Sequence, residues 1–191
     1  MRAWEQGLPE IHWTLGVLLT VLLYLTAAVA SWRLVETVRR SVGFAGSRER
    51  TIWLLESALL FSLAISTAIN APALVTETFR SIAMDDGWYV LRGSGQVRLI
   101  SISLGAFAIA AIASVFWSRS AALQASLVLL ASLVLIAFIV VRAISLHAID
   151  RIVFARIAGV TISSIVEGAG IIAILMLALW RTMTLHRGRP Q

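Results

Sequence analysis

Residues 121–141 read AALQASLVLLASLVLIAFIVV, a run with no charged side chain before Arg142. At about 1.5 Å per helical residue it reaches about 30 Å, the thickness of a bilayer's hydrocarbon core. A run of this length has no polar face to offer water, so it reads as a transmembrane helix over 121–146. Working outward, four further runs have the same character: 157–180 on one side, and 98–117, 52–72 and 11–32 on the other. The chain is therefore expected to form one transmembrane domain over 1–191, an all-α integral membrane bundle of five transmembrane helices. Its composition agrees, since 59% of the 191 residues are hydrophobic and the mean hydropathy is +0.89, against roughly half apolar in soluble domains.

Tryptophan placement tests these limits independently, because indoles collect where hydrocarbon meets headgroups. Trp13 and Trp32 bracket the first run about 28 Å apart along a helix. Trp53, Trp117 and Trp180 stand at ends of the second, third and fifth runs, and Trp88 lies just ahead of the third. They read as interfacial anchors rather than a ligand cage.

The basic residues supply an orientation. The first connection carries Arg33, Arg39, Arg40, Arg48 and Arg50 against Glu36 and Glu49, which predicts a cytoplasmic loop by the excess of positive charge on that side. Five spans then put the N-terminus outside and the tail with Arg181, Arg187 and Arg189 inside, with Arg119 inside as well. Arg80, Arg92, Arg98, Arg151 and Arg156 fall on the outer side together with Glu77, Asp85, Asp86 and Asp150. The first run is too long for a signal-peptide core and is expected to stay as helix one. All sixteen basic residues are Arg, a usage that suits a bacterial chain and the bacterial inner (plasma) membrane. The net charge of +6 belongs to loops beside apolar spans and contacts lipid. No basic block dense enough for nucleic acid exists.

In the long 73–97 connection, Leu74, Val75, Phe79 and Ile82 recur at near-helical spacing, which predicts a short helix lying in the outer interface. Asp85 or Asp86 can cap a new helix near Gly87, and Gly93-Ser94-Gly95 argues for a break instead.

Ionisable groups inside the spans are where function is sought first, because each costs about 2.5 kcal/mol or more at the bilayer centre unless paired or hydrated. Glu56, Arg142 and Glu167 qualify. Glu167 is read near mid-membrane, about ten residues into helix five, on one face with Gly159 and Ser163. Ser164 and Gly168 form a small-xxx-small pair suited to close helix contact. Glu167 is then either a carboxyl that joins helices, or a proton or cation site or cofactor counter-ion. Glu56, on one face with Thr67 and Asn70, is expected to snorkel to cytoplasmic water. Asn70 ahead of Pro72 predicts a frayed outer turn of helix two with free carbonyls.

Arg142 stands within snorkelling reach of the outer surface, and Ser145, His147, Asp150 and Arg151 follow it at once. On a continuing helix Asp150 can orient the His147 imidazole, as in general bases and metal sites. The expectation is one outer-face polar cluster of Arg142, Ser145, His147 and Asp150, joined by Trp88, Tyr89 or Arg92, with Glu167 too deep to take part. Metal ligands are few: His12, His147 and His186, and no cysteine. Cysteine-based disulfides, thiolate metal sites and thioether haem are thereby excluded. His12 and His147 form the one pair that reaches a common face, as ligands to a b-type haem; a zinc site from His12, His147 and Asp150 is no better supported. No phosphate loop or nucleophile elbow is present, so catalysis has little positive support.

Gly87-Trp88-Tyr89 with Arg92 and Gln96, then Arg142-Ala143, Ser145, His147 and Asp150, then Glu167, resemble a family of small bacterial multi-pass inner-membrane proteins of unknown function. Some of its members carry the label isopropylmalate isomerase, which does not suit a cysteine-free chain because that enzyme's iron–sulfur cluster needs thiolates. The resemblance covers about the last two-thirds of the chain; it implies the bundle and the outer-face cluster and no activity. The sequence thus points to a non-catalytic membrane protein, either an accessory subunit beside other membrane proteins or a binder of lipid or quinone-like molecules at its outer face. The alternative is a small redox protein or enzyme using haem or the His147–Asp150 site.

Overall fold

The structure is a computed structural model that describes residues 15–42, 46–71, 74, 77–78, 81, 92–119, 121–144, 156–157 and 160–187. Five long helices dominate it: α1 (Leu15–Val42), α2 (Ser47–Ala68), α3 (Arg92–Ser118), α4 (Leu123–Ile144) and α5 (Ile162–Arg187). All five are long and apolar enough to cross a membrane, the architecture of a multi-pass membrane protein. Between α4 and α5 two short strands, β1 (Arg156–Ile157) and β2 (Val160–Thr161), pair antiparallel with Arg156 opposite Thr161.

The helix limits differ from the apolar runs where polar residues find helical partners. Helix one does not stop at Trp32. Leu34 and Val38 continue its buried face, and on the exposed side Glu36 accepts bonds from Arg39 Nη2 and Arg40 Nε, both at 2.9 Å, pairs that support a helix at three- and four-residue spacing. The residues read as a long charged loop are mostly helix, and the true connection is 43–46. Gly46 packs closely on α1: a Cβ there would lie 3.0 Å from Val38 Cγ1 and 3.1 Å from Val42 Cβ.

Helix two ends at Ala68, four residues short of the expected limit. Asn70 takes a left-handed φ of 52°, a conformation asparagine tolerates better than most residues. Its turn is closed rather than frayed, since Ile69 N–H donates to Ile65 O and Asn70 N–H to Thr67 O. Helix five starts at Ile162, not 157. β-branched Ile157, Val160 and Thr161 suit extended backbone, and Thr161 Oγ1 accepts from the Ser164 N–H at 3.3 Å as an N-cap. Residues 74, 77, 78 and 81 are helical; the rest of the expected interfacial helix lies outside the described residues, as do Trp13 and Trp88.

Close packing follows the small residues. Ala27, Ala28 and Ser31 of α1 meet Ser57, Leu60 and Ala64 of α2 in one buried core, completed by Val128 and Leu135 of α4 and Ile171, Ile174 and Ala178 of α5. Ser57 Oγ donates to Ala28 O at 2.9 Å and fixes the α1–α2 register. Helix α5 lies parallel to α1 and antiparallel to α4. The Ser164–Gly168 pair is not a helix contact: Ser164 is exposed and a Cβ on Gly168 would meet nothing within 4 Å. Gly170 has that role, with Leu135 Cδ1 3.1 Å from where its Cβ would stand. Helix α3 packs chiefly on α4 and leaves Leu99, Ile102, Ile109 and Ile112 exposed, as a lipid-facing helix does.

Candidate functional site

Among the described residues three carboxylates are buried along the core of the bundle, and each meets a different partner. At the end where α2 begins and α5 finishes, Arg181 donates to Glu49 through Nε at 2.6 Å and Nη2 at 2.8 Å. Trp53 Nε1 donates to the same carboxylate at 3.3 Å. This is a bidentate, largely desolvated ion pair, the geometry in which guanidinium and carboxylate match best.

Two helical turns further along α2, Glu56 is 2% exposed. Ser132 Oγ of α4 stands 2.5 Å from its Oε2 and 2.9 Å from Val128 O. Glu56 Oε1 has no hydrogen-bond partner, and neither does Ser31 Oγ on α1. The third carboxylate is Glu167, buried on α5, whose Oε1 accepts from Tyr24 Oη of α1 at 2.8 Å. Ser163, one turn before it, is also buried and its Oγ is unpartnered.

Magnitudes separate these sites. Hydrogen bonds between membrane helices contribute about 0.6 kcal/mol on average and about 1.7 at most, whereas an ionised side chain at a span's centre costs about 2.5–3.5 kcal/mol. The Glu49–Arg181 pair offsets that cost with charge against charge. One hydroxyl cannot do the same for an ionised Glu56.

Several sequence expectations change here. Glu56 does not snorkel; it points into the core because α2's buried face runs through Glu49, Ile52, Trp53, Glu56 and Leu60. Trp53 is fully buried and serves Glu49, so it is no interfacial anchor, whereas Trp32, Trp117 and Trp180 are exposed. Glu167 sits five residues into α5 rather than ten, about 8 Å from the helix start. Asn70 is exposed in the turn that ends α2 and joins none of these groups. Arg92 opens α3 and Arg142 lies in the last turn of α4, which the antiparallel pair brings to one end of the bundle. Ser145, His147, Asp150, Trp88 and Tyr89 lie outside the described residues, as does His12, the other half of the haem pair.

Tyr24, Ser132, Glu49 and Arg181 escaped sequence reading. Signals existed for two of them: Glu49 and Glu56 are seven residues apart, which places them on one helical face, and Arg181 follows directly on the Trp180 anchor. Ser132 is one hydroxyl among many.

The molecule also carries an apolar groove of about 650 Å³ between α4 and α5, toward the Arg181 end, walled by Leu127, Ala173, Met176, Trp180 and Met183. Its size falls in the range of small-ligand sites, and its lining is almost wholly hydrocarbon and thioether. Compared with known protein families, with curated proteins and with solved structures, the chain matches none.

Proposed function

We propose that this chain is a non-catalytic multi-pass protein of a bacterial inner membrane that holds a lipid or quinone-like molecule by its apolar tail. The groove between α4 and α5 carries this reading, and it lies toward the Arg181 end rather than at the outer face expected from the sequence: it is open on one side, its lining is almost wholly apolar, and it is walled by two adaptable methionines and an indole. Sideways access is what a tail already dissolved in the bilayer requires. The resemblance to small multi-pass proteins of unknown function is in keeping with such a role and adds no activity to it. A second reading, an accessory subunit, rests on α3, whose exposed apolar side is wide enough to lie against another membrane helix.

The test is co-purification. Full-length protein extracted in mild detergent should retain about one tail-bearing molecule per chain by mass spectrometry. Ala173→Trp, which fills the groove, should abolish retention, whereas Val134→Trp on the exposed side of α4 should not. Equal retention by both variants would refute the groove. Stoichiometric co-purifying chains would favour the subunit reading, and a Soret band lost in His12→Ala or His147→Ala would restore haem.

A further inference from the structure

Ser132 Oγ stands between two oxygens, Glu56 Oε2 at 2.5 Å and Val128 O at 2.9 Å. A serine hydroxyl has one proton to donate. Donated to Glu56 Oε2, it is the one bond a buried carboxylate receives; donated to Val128 O one turn back, it leaves Oγ facing the carboxyl with lone pairs only, and an ionised Oε2 would then repel it. Both contacts are satisfied together when Glu56 itself carries a proton: its O–H donates to Ser132 Oγ, which donates to Val128 O.

A second observation agrees. Glu56 Oε1 is buried without a donor, which is severe for half of a carboxylate anion and mild for the carbonyl oxygen of a neutral acid. A third is the absence, among the described residues, of a cation at this level. The Ser57–Ala28 bond sets the register and places Ser31 about 3 Å from Glu56 along the bundle axis, but the two side chains do not bond each other. Buried in the same core are Ala28 of α1 and Ile171 and Ile174 of α5, and Ser132 of α4 touches Glu56. The other buried acids among the described residues are Glu49, matched to Arg181, and Glu167 on α5, which bonds Tyr24.

We propose that Glu56 is a proton-binding site in the middle of the bundle, a neutral carboxylic acid donating to Ser132. Loss of the proton leaves a carboxylate, so the site takes up and releases one proton and nothing else. Glu49, on the same helical face, differs because its partner is a permanent cation.

Infrared spectroscopy of the full chain in lipid bilayers tests this directly. Wild-type protein at about pH 7 should show the carbonyl band of a protonated carboxyl that Glu56→Gln lacks. Glutamine is the suitable variant because its side-chain N–H can still donate to Ser132 Oγ. Ser132→Ala should shift that band in frequency without removing it, since the acid loses its acceptor and keeps its proton; this comparison stands on its own if Glu56→Gln does not fold. Transfer to D2O should shift the band as the carboxyl proton exchanges. Two results would overturn the proposal: a protonated-carboxyl signal of equal intensity in wild type and Glu56→Gln, or a band unmoved by Ser132→Ala.

Discussion

Glu49 and Glu56 have the same side chain on the same face of the same helix, and what each does is decided by what stands opposite. A guanidinium faces one and a hydroxyl faces the other. Because Glu49 and Arg181 are both largely withdrawn from solvent, removing either strands its partner as an unmatched buried charge, which costs about 3–5 kcal/mol. Glu49→Ala and Arg181→Ala should each lower unfolding stability in detergent by about that amount. The double variant should lose much less than the sum of the two. Arg181→Lys should be intermediate, because an ammonium cannot reproduce the two-pronged contact. Tyr24→Phe removes one neutral donor from Glu167 and should cost only about 0.6–1.7 kcal/mol. At this scale the sequence was legible where rarity speaks: Glu167 stands out as an acid in an apolar run. It was illegible where only a partner on another helix gives a residue its meaning, as for Ser132 and Tyr24.

Among the elements, helix existence follows from apolar length, whereas helix ends follow from local hydrogen bonding that hydropathy does not register. Thr161 starts α5 by capping Ser164, so Thr161→Ala should destabilise the protein by about 1 kcal/mol. The two glycines of α5 make a sharper comparison. Gly170→Val introduces branched carbon against Leu135 and should cost about 1–3 kcal/mol by overpacking. Gly168→Ala fills open space and should be neutral or slightly stabilising, since alanine is the better helix former. Thermal unfolding of the two variants side by side measures the difference; an equal loss at both positions would show that α4 and α5 do not pack as described. Sequence spacing pointed to Gly168 because it pairs with Ser164 at the usual interval. The interface instead uses Gly170, because the rotation of α5 is set by Glu167, Ile171, Ile174 and Ala178 facing the core.

Over the whole molecule the arginines separate by end. Arg39 and Arg40 close α1, Arg48 and Arg50 open α2, Arg119 follows α3 with its guanidinium 4.0 Å above the Phe116 ring, and Arg181 and Arg187 close α5. One end of the bundle therefore gathers most of the described basic residues, and the proposed orientation puts that end in the cytoplasm. The absence of native cysteine makes the test clean. An impermeant thiol reagent outside intact cells should label Asp85→Cys and Ile152→Cys and should reach Phe44→Cys and Arg119→Cys only after the membrane is opened. Labelling of Phe44→Cys from outside would reverse the orientation.

The five spans, their approximate places and the charge at their ends could be read from the sequence alone, because lipid acts on each segment separately: about 20 apolar residues satisfy their own backbone bonds and need no neighbour to be stable there. The pairing of Glu49 with Arg181, of Glu56 with Ser132 and of Glu167 with Tyr24 joins residues 132, 76 and 143 positions apart. No local pattern encodes such contacts. They depend on the rotation and register of each helix against the others, which close packing of Ala27, Ala28, Ser57 and Gly170 decides.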